Sequence, residues 1–427
     1  MEASQARAAE APPLRRARWP ALFAPFGIRS FRFQFPADLL TSWGTEMETL
    51  ILGWYILTET GSVLLLTVFG ALQYLGTLIA PLFGLAGDRV GHRRVLCGLR
   101  LLYTLLAGLI ATLALTGLLR PAHVLGIAAL AGLVRPSDLA MRNALVAETM
   151  PPDRLMATMG LSRTTSDSAR TLGSLAGAGL FAVIGLGPAY VAIASIYATG
   201  FALTLGVGGG RGFATAGVRR SVLRDLREGL ETVWDTPAAL AAMLLAFLVN
   251  LTAFPLTLGL LPFVARDVYG MDQTGLGTLV ASFALGALIG SIAIGIMGPR
   301  LRPARMMLIF SFAWYLMLLG FVAMPGPNGG RAMLLLAGAA QSFSMVPMAV
   351  MLLAGAGARF RGRIMGVRML AIYGLPIGLL LAGALIDRIG FVATATAYCL
   401  AGLTLTAAIA VRWGAALWPA EAAANAR

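Results

Sequence analysis

The chain has no lysine, two cysteines and two histidines, and charged residues fill 12% of its 427 positions. Each scarcity excludes something. Cys97 and Cys399 fall inside apolar runs without a CxxC or Cys/His spacing and read as packing residues. His92 and His123 lie far apart in any plausible topology, so no metal site is expected. The loops contain no Gly-rich phosphate cradle and no Walker pattern, which excludes an ATPase. The net charge of +14 comes entirely from arginine, yet the arginines form no polar stripe. They sit in short clusters between apolar runs, so no nucleic-acid partner is expected and the charge reads as a topology signal.

What the chain has in abundance is apolar surface. Hydrophobic residues make up 58% of it, against roughly 45–50% in ordinary soluble domains, and the mean hydropathy is +0.80. A spanning helix uses about 20 residues, so the length suits ten to fourteen spans and leaves no room for a soluble catalytic domain. No enzyme is expected, because no nucleophile, base and orienting group converge at helical spacing.

Apolar runs of spanning length predict helices near 33–57, 63–86, 95–118, 124–148, 158–184 and 189–207. A second set follows near 239–264, 274–297, 306–325, 332–355, 364–387 and 391–413. The fold class is therefore all-α integral membrane, with about twelve helices in two pseudo-symmetric six-helix bundles. The expected units are an N-terminal tail (1–32), a first bundle (33–207), a central loop (208–237), a second bundle (238–413) and a C-terminal tail (414–427). An echo at an offset of about 206 residues, Met159-Gly160 with Met365-Gly366 and Ala176-Gly177-Ala178 with Ala382-Gly383-Ala384, supports a duplicated unit. In the central loop, Val222, Leu226, Leu230 and Val233 recur at helical spacing, predicting an amphipathic helix on the membrane face.

Arginine placement orients the chain. Arg15, Arg16 and Arg18, then Arg89, Arg93 and Arg94, Arg154, the central cluster, Arg300, Arg302 and Arg305, and Arg359, Arg361 and Arg363 fall on one side. The other side keeps little beyond Arg120, Arg266, Arg331 and Arg388. By the positive-inside rule both termini are cytoplasmic. Pro25, Gly27 and Arg29 interrupt the stretch after the first arginines, so no signal peptide is expected there.

Between the second and third runs stands Gly84-Leu85-Ala86-Gly87-Asp88-Arg89-Val90-Gly91-His92-Arg93-Arg94. Gly84 suits close helix approach, Gly91 a tight turn, and Asp88 at a helix end can accept hydrogen bonds from a helix N-terminus or an arginine. Gly84, Asp88, Arg89, Gly91 and Arg93 are candidates for a conformational latch. The stretch resembles the loop signature of the major facilitator superfamily, with His92 at the first basic place. Asp225-Leu226-Arg227-Glu228-Gly229-Leu230, Arg361-Gly362-Arg363-Ile364-Met365-Gly366 and Trp43-Gly44-Thr45-Glu46-Met47 look like segments of its drug:proton antiporter and enterobactin-exporter branch. Gly173-Ser174-Leu175-Ala176-Gly177 resembles the antiporter signature of the fifth helix, with Ser174 where a proline normally stands. Gly173 and Gly177 also read simply as a small-xxx-small packing pair.

The resemblance implies a secondary transporter working by alternating access. Its expected cargo is a small amphipathic molecule, drug-like or a siderophore, exported in exchange for protons. No cofactor is expected, the proton gradient being the energy source, and a monomer in the inner membrane is the expected state. An importer or lipid-like solute carrier on the same fold and a non-transporting membrane sensor are the rival readings.

The first helix carries the chemistry most sharply. A charge at the bilayer centre costs roughly 2.5–3.5 kcal/mol on insertion scales, and this helix holds Asp38, Glu46 and Glu48. With Thr41, Ser42, Thr45 and Thr49 they occupy a sector of about 160°, wide enough to line a water-filled cavity. Glu46 or Glu48 is the expected proton-coupling or substrate-binding acid, and Asp38 a helix-end or gate residue. On the fourth and fifth helices Arg135, Asp138 and Arg142 share one face, as do Arg163, Asp167 and Arg170. Depth counting predicts the interhelical pairs Asp138–Arg170 and Arg142–Asp167. In the second half Asn250, Gln341 and Arg368 are the cavity candidates.

Overall fold

A backbone crossing lipid must satisfy its own hydrogen bonds, which leaves helices as the economical solution for long apolar runs. The computed structural model describes residues 21–77, 79–208, 222–297, 302–354 and 368–417; its regular elements are helical, and no strand occurs among the described residues. Residue 78 and the segments 1–20, 209–221, 298–301, 355–367 and 418–427 lie outside the described residues, and with them Arg15, Arg16, Arg18, Arg300, Arg359, Arg361, Arg363 and Met365-Gly366.

Nine described helices are long and apolar enough to cross a membrane: His92–Leu115, Pro121–Thr149, Leu186–Leu205, Pro237–Gly259, Gln273–Ile296, Pro303–Ala323, Pro327–Leu352, Arg368–Ile389 and Phe391–Arg412. They are the third, fourth, sixth and seventh to twelfth of the expected spans. The other three depart for local chemical reasons. The first span, Arg29–Thr60, is 32 residues long but carries Asp38, Glu46, Glu48 and Glu59. The second is divided into Val63–Leu72, a 3-10 turn Leu75–Thr77 and Ala80–Val90. The fifth runs through Pro152–Ser168, a π-turn Ala169–Gly173 and Ser174–Ile184. All three border the cavity described below.

The two halves repeat each other in their turns. The first span ends at Gly61 (φ +63°), and the seventh ends near Gly270 (φ +62°). Gly185 (φ +78°) alone separates the fifth and sixth spans, and Gly390 (φ +83°) alone separates the eleventh and twelfth. Such backbone angles are open to glycine and strained for other residues. The fourth and tenth helices both begin on a proline, Pro121 and Pro327, which suits a first turn because its missing N–H has no intrahelical partner anyway.

Small residues let these helices approach closely, as membrane packing favours. A β-carbon on Gly132 would lie 2.0 Å from the Leu72 carbonyl oxygen, and one on Gly76 would lie 2.0 Å from that of Leu133. In the second half the same device recurs: a β-carbon on Gly286 would come within 1.8 Å of the Leu335 oxygen, and one on Gly338 within 2.0 Å of the Phe283 oxygen. Gly173 and Gly177 sit against Trp43 and Met47 of the first span, while Gly374 and Gly378 sit against Phe247 and Leu251 of the seventh. Gly177 and Gly383, matched by the sequence echo, are not structural equivalents: Gly383 abuts Thr67 and Leu64 across the halves.

The central segment forms the helix Val222–Asp235. Its Val233 is buried, whereas Leu230 and Trp234 stand exposed; the side chains of Val222 and Leu226 lie outside the described residues.

Candidate functional site

Three acids on the first span need partners, and neighbouring helices supply them in two layers. Asp38, 4% exposed, receives a hydrogen bond from Arg100 of the third span, which also donates to the Thr204 hydroxyl of the sixth. Arg142 of the fourth span places Nη2 2.5 Å from Asp138 Oδ2 and Nε 3.7 Å from Asp38 Oδ1. Its Nη1 donates to Ser42 Oγ at 2.7 Å, and its carbonyl accepts from Gln34 Nε2 at 3.1 Å. Arg100 Nε stands 3.9 Å from Asp138 Oδ1. Two arginines and two aspartates thus form a buried tetrad of zero net charge. The spacing of Asp138 and Arg142, one helical turn apart, brings them together on one face.

Arg100 is 1% exposed and escaped the reading of the sequence. A signal existed: a lone arginine at the sixth residue of the third apolar run, 95–118, carries the same insertion cost that drew attention to the acids. One expected interhelical pair, Asp138–Arg170, is corrected here, whereas the other, Arg142–Asp167, rests on a side chain outside the described residues. Arg142 pairs with Asp138 on its own helix and with Asp38, and Asp138 faces Arg142 and Arg100 instead of Arg170. Counting depth along two helices alone left the first and third spans, whose charges lie closer, out of the competition. The side chains of Arg163 and Asp167 lie outside the described residues.

The second layer centres on Glu48, 5% exposed. Its Oε2 accepts from the Tyr197 hydroxyl at 2.9 Å and from Arg135 Nη2 at 3.2 Å. Arg135 also donates to Gln73 Oε1 and, at 3.2 Å, to Thr49 Oγ1. Gln73 stands where the second span breaks, so the break presents an amide oxygen to the arginine.

Between the halves lies a cavity of about 450 Å³. Its first-half wall is polar, including Ser42, Thr45, Glu46, Tyr74, Ser166 and Arg170; its second-half wall is apolar, with Leu258, Leu261, Phe283, Ile372 and Leu379. Glu46 reaches this cavity while Glu48, two residues on, points to the opposite side of the helix and into the Arg135 layer. Among the described residues Glu46 makes no hydrogen bond or ion pair, and neither does Arg170, which stands on the π-turn of the fifth span. Asn250, Gln341 and Arg368 do not line the cavity. Asn250 turns its amide back to the Ala246 carbonyl of its own helix, 2.8 Å away.

In the loop after the second span, Gly91 takes φ +100° and turns the chain between helices. Arg93 donates to the Leu205 carbonyl at the end of the sixth span, and His92 Nδ1 lies 2.6 Å from Glu148 Oε1. At Gly84 a β-carbon would meet nothing within 4 Å among the described residues. Gly87 holds the close approach instead, with His92 at 2.6 Å and Met141 at 3.0 Å from such a carbon. Arg89 is exposed, and the side chain of Asp88 lies outside the described residues.

The halves touch at the end of the bundle where the first span finishes. Arg266 donates to the Leu57 carbonyl, Gly383 packs on Thr67, and Gly277 packs on Ala178.

No curated protein matches the chain by sequence. Solved structures match its fold. One is a bacterial homolog of the human lysosomal transporter Spinster in an inward-facing, unoccupied conformation, at 14% identity over 92% of this chain and 99% of that one, TM-score 0.69. Another is the nucleoside transporter NupG, at 14% identity over 91% and 98%, TM-score 0.64. A third is a D-xylose-proton symporter, at 12% identity over 88% and 96%, TM-score 0.67. The family profile of the Major Facilitator Superfamily matches residues 35–379. With its helical membrane-spanning architecture and a cavity between two repeated halves, the chain belongs to the Major Facilitator Superfamily and is a multi-pass secondary transporter.

Proposed function

We propose that this transporter exports a small amphipathic molecule in exchange for protons across the bacterial inner membrane, with both termini in the cytoplasm, acting as a monomer without a cofactor. One observation carries the reading: Glu46 is an acid in the central cavity with no partner among the described residues, whereas Asp38 and Glu48 are each held by arginine. An acid without a partner that faces the cavity is open to exchange with whichever side of the membrane the cavity meets. The clustering of arginines at the end of the bundle that carries the termini supports the orientation, and the contacts between halves at the opposite end support an inward-facing state. In that state deprotonated Glu46 binds cargo. After the halves rock, a proton from outside neutralises the carboxylate and the cargo leaves.

The test uses everted membrane vesicles energised by respiration, with a pH-sensitive dye and a chemically broad panel of compounds. Some compound is expected to collapse the gradient with the wild-type protein, and Glu46→Gln is expected to abolish that response at unchanged membrane content. An unaltered response in Glu46→Gln removes this residue from the coupling. A panel without any response favours the importer or sensor readings.

A further inference from the structure

The cavity presents two unspent charges of opposite sign. Of its arginines, Arg135 is bound to Glu48 and Gln73, and Arg142 to Asp138, Asp38 and Ser42. Arg170 has no hydrogen bond or ion pair among the described residues, although it lines the same space. Glu46 is in the same position on the facing span. Tyr74, at the break of the second span, lies within electrostatic reach of both, which places them in one region of the cavity. They nonetheless stand too far apart to pair.

An unpaired charge within a membrane-spanning bundle is costly, and two occur here. Such residues are retained where water or a ligand supplies the missing partner. The opposite wall narrows the ligand further. Thr257 provides its sole polar side chain among the described residues, beside leucines, Phe283 and Ile372. At about 450 Å³ the space suits a drug-sized molecule.

From this arrangement, and resting on the reading of the cavity as the transport site, we infer that the cargo is a zwitterionic amphipath. Its anionic group, a carboxylate or sulfonate, is taken by Arg170, its ammonium by deprotonated Glu46, and its apolar body by the second-half wall. The planar guanidinium suits a carboxylate or sulfonate, to which it donates two parallel hydrogen bonds. Protonation of Glu46 then removes one of the two polar anchors and loosens the cargo, which ties release to proton entry. A purely cationic cargo leaves Arg170 unsatisfied and a purely anionic one leaves Glu46 so; the zwitterion alone answers both.

Four molecules on one skeleton test this. With the full chain in lipid nanodiscs, tritiated 3-(2-naphthyl)alanine is the probe, and its methyl ester (cation), its N-acetyl derivative (anion) and its N-acetyl methyl ester (neutral) are competitors. The zwitterion is expected to bind at least tenfold more tightly than the neutral compound. Arg170→Gln should weaken the zwitterion and the anion tenfold or more and leave the cation unchanged. Glu46→Gln should weaken the zwitterion and the cation and spare the anion. Arg170→Lys, which keeps the charge, should recover part of the loss.

A zwitterion that binds no better than the neutral compound, or at all four alike, overturns the inference. So does an Arg170→Gln that weakens all four equally without rescue by Arg170→Lys, since that marks a packing role. If the crossed pattern appears while naphthylalanine releases no protons in energised vesicles, the cargo class stands and proton coupling fails. Proton release without the crossed pattern reverses that outcome.

Discussion

Arg100 and Asp38 illustrate why a single residue in this bundle cannot be judged alone. The Arg100 guanidinium is shut away from lipid and water, and its charge is tolerable because Asp38 and Asp138 face it and the Thr204 hydroxyl accepts one of its N–H groups. Removing one member of a buried ion pair leaves an uncompensated charge and costs about 3–5 kcal/mol, whereas replacing both members can be close to neutral. Asp38→Asn and Arg100→Gln should therefore each lower the thermal midpoint of the detergent-solubilised protein markedly. The double variant, which restores zero net charge, should recover a large part of the loss. Strictly additive losses would show that the two side chains do not depend on each other. The same reasoning explains how the acids of the first span could be picked out from sequence while their partners could not. Asp38, Glu46 and Glu48 announce themselves by their insertion cost, but which arginine reaches which acid depends on the helix packing order. That order packs the third span on the fourth and sixth and lets the long Arg100 side chain reach Asp38 of the first, and depth counting along the fourth and fifth spans could not reveal it.

At the scale of helices, the legible and illegible parts divide along chemistry. Long apolar runs such as Gln273–Met297 and Phe391–Arg412 declare themselves, because lipid imposes one backbone solution on them. The second and fifth spans were expected as single helices and are interrupted at Gln73 and at Ala169–Gly173; hydropathy does not encode a local change of hydrogen-bond register. These interruptions place Tyr74 and Arg170 on the cavity wall, in keeping with the frequent occurrence of π-turns at functional sites. Glycines show the same limit. Gly84 and Gly87 are equivalent by composition, and only the path of the chain gives the close contact to Gly87. Contact geometry also yields a prediction. Gly132→Val would force a side chain against the Leu72 backbone, so overpacking should cost about 1–3 kcal/mol or more and reduce the fraction recovered as a monodisperse peak after extraction. Gly98→Ala, with nothing within 4 Å of the new carbon, should be neutral or gain about 0.4–1 kcal/mol. Equal behaviour of the two variants would mean that the second and fourth spans are not in such close contact.

Across the whole molecule, the two halves share turns and glycine contacts but not chemistry. Glu46 of the first half stands opposite Gly173, and its positional counterpart Asn250 stands opposite Gly374; one is an acid in the cavity, the other an amide bonded to its own helix. Duplication therefore supplied a scaffold, and ionisable side chains were concentrated on one side of it. That division suits a rocking mechanism in which one bundle carries the charges and the other offers an apolar counter-surface. Rocking requires the contacts at the end near Thr67 and Gly383 to part. A β-carbon on Gly383 would lie 3.2 Å from the Thr67 β-carbon, a few tenths of an ångström inside the roughly 3.5–4.5 Å of a disulfide. In a background where Cys97 and Cys399 are replaced by serine, the pair Thr67→Cys and Gly383→Cys should cross-link under mild oxidation. The bridge should hold the cavity closed at that end, abolish cargo-dependent proton release in vesicles, and leave the release recoverable with a reductant. Each single cysteine variant should stay active under the same oxidant. Continued turnover by the fully cross-linked protein would place the moving contact elsewhere, with the Leu57–Arg266 and Ala178–Gly277 contacts as the next to bridge.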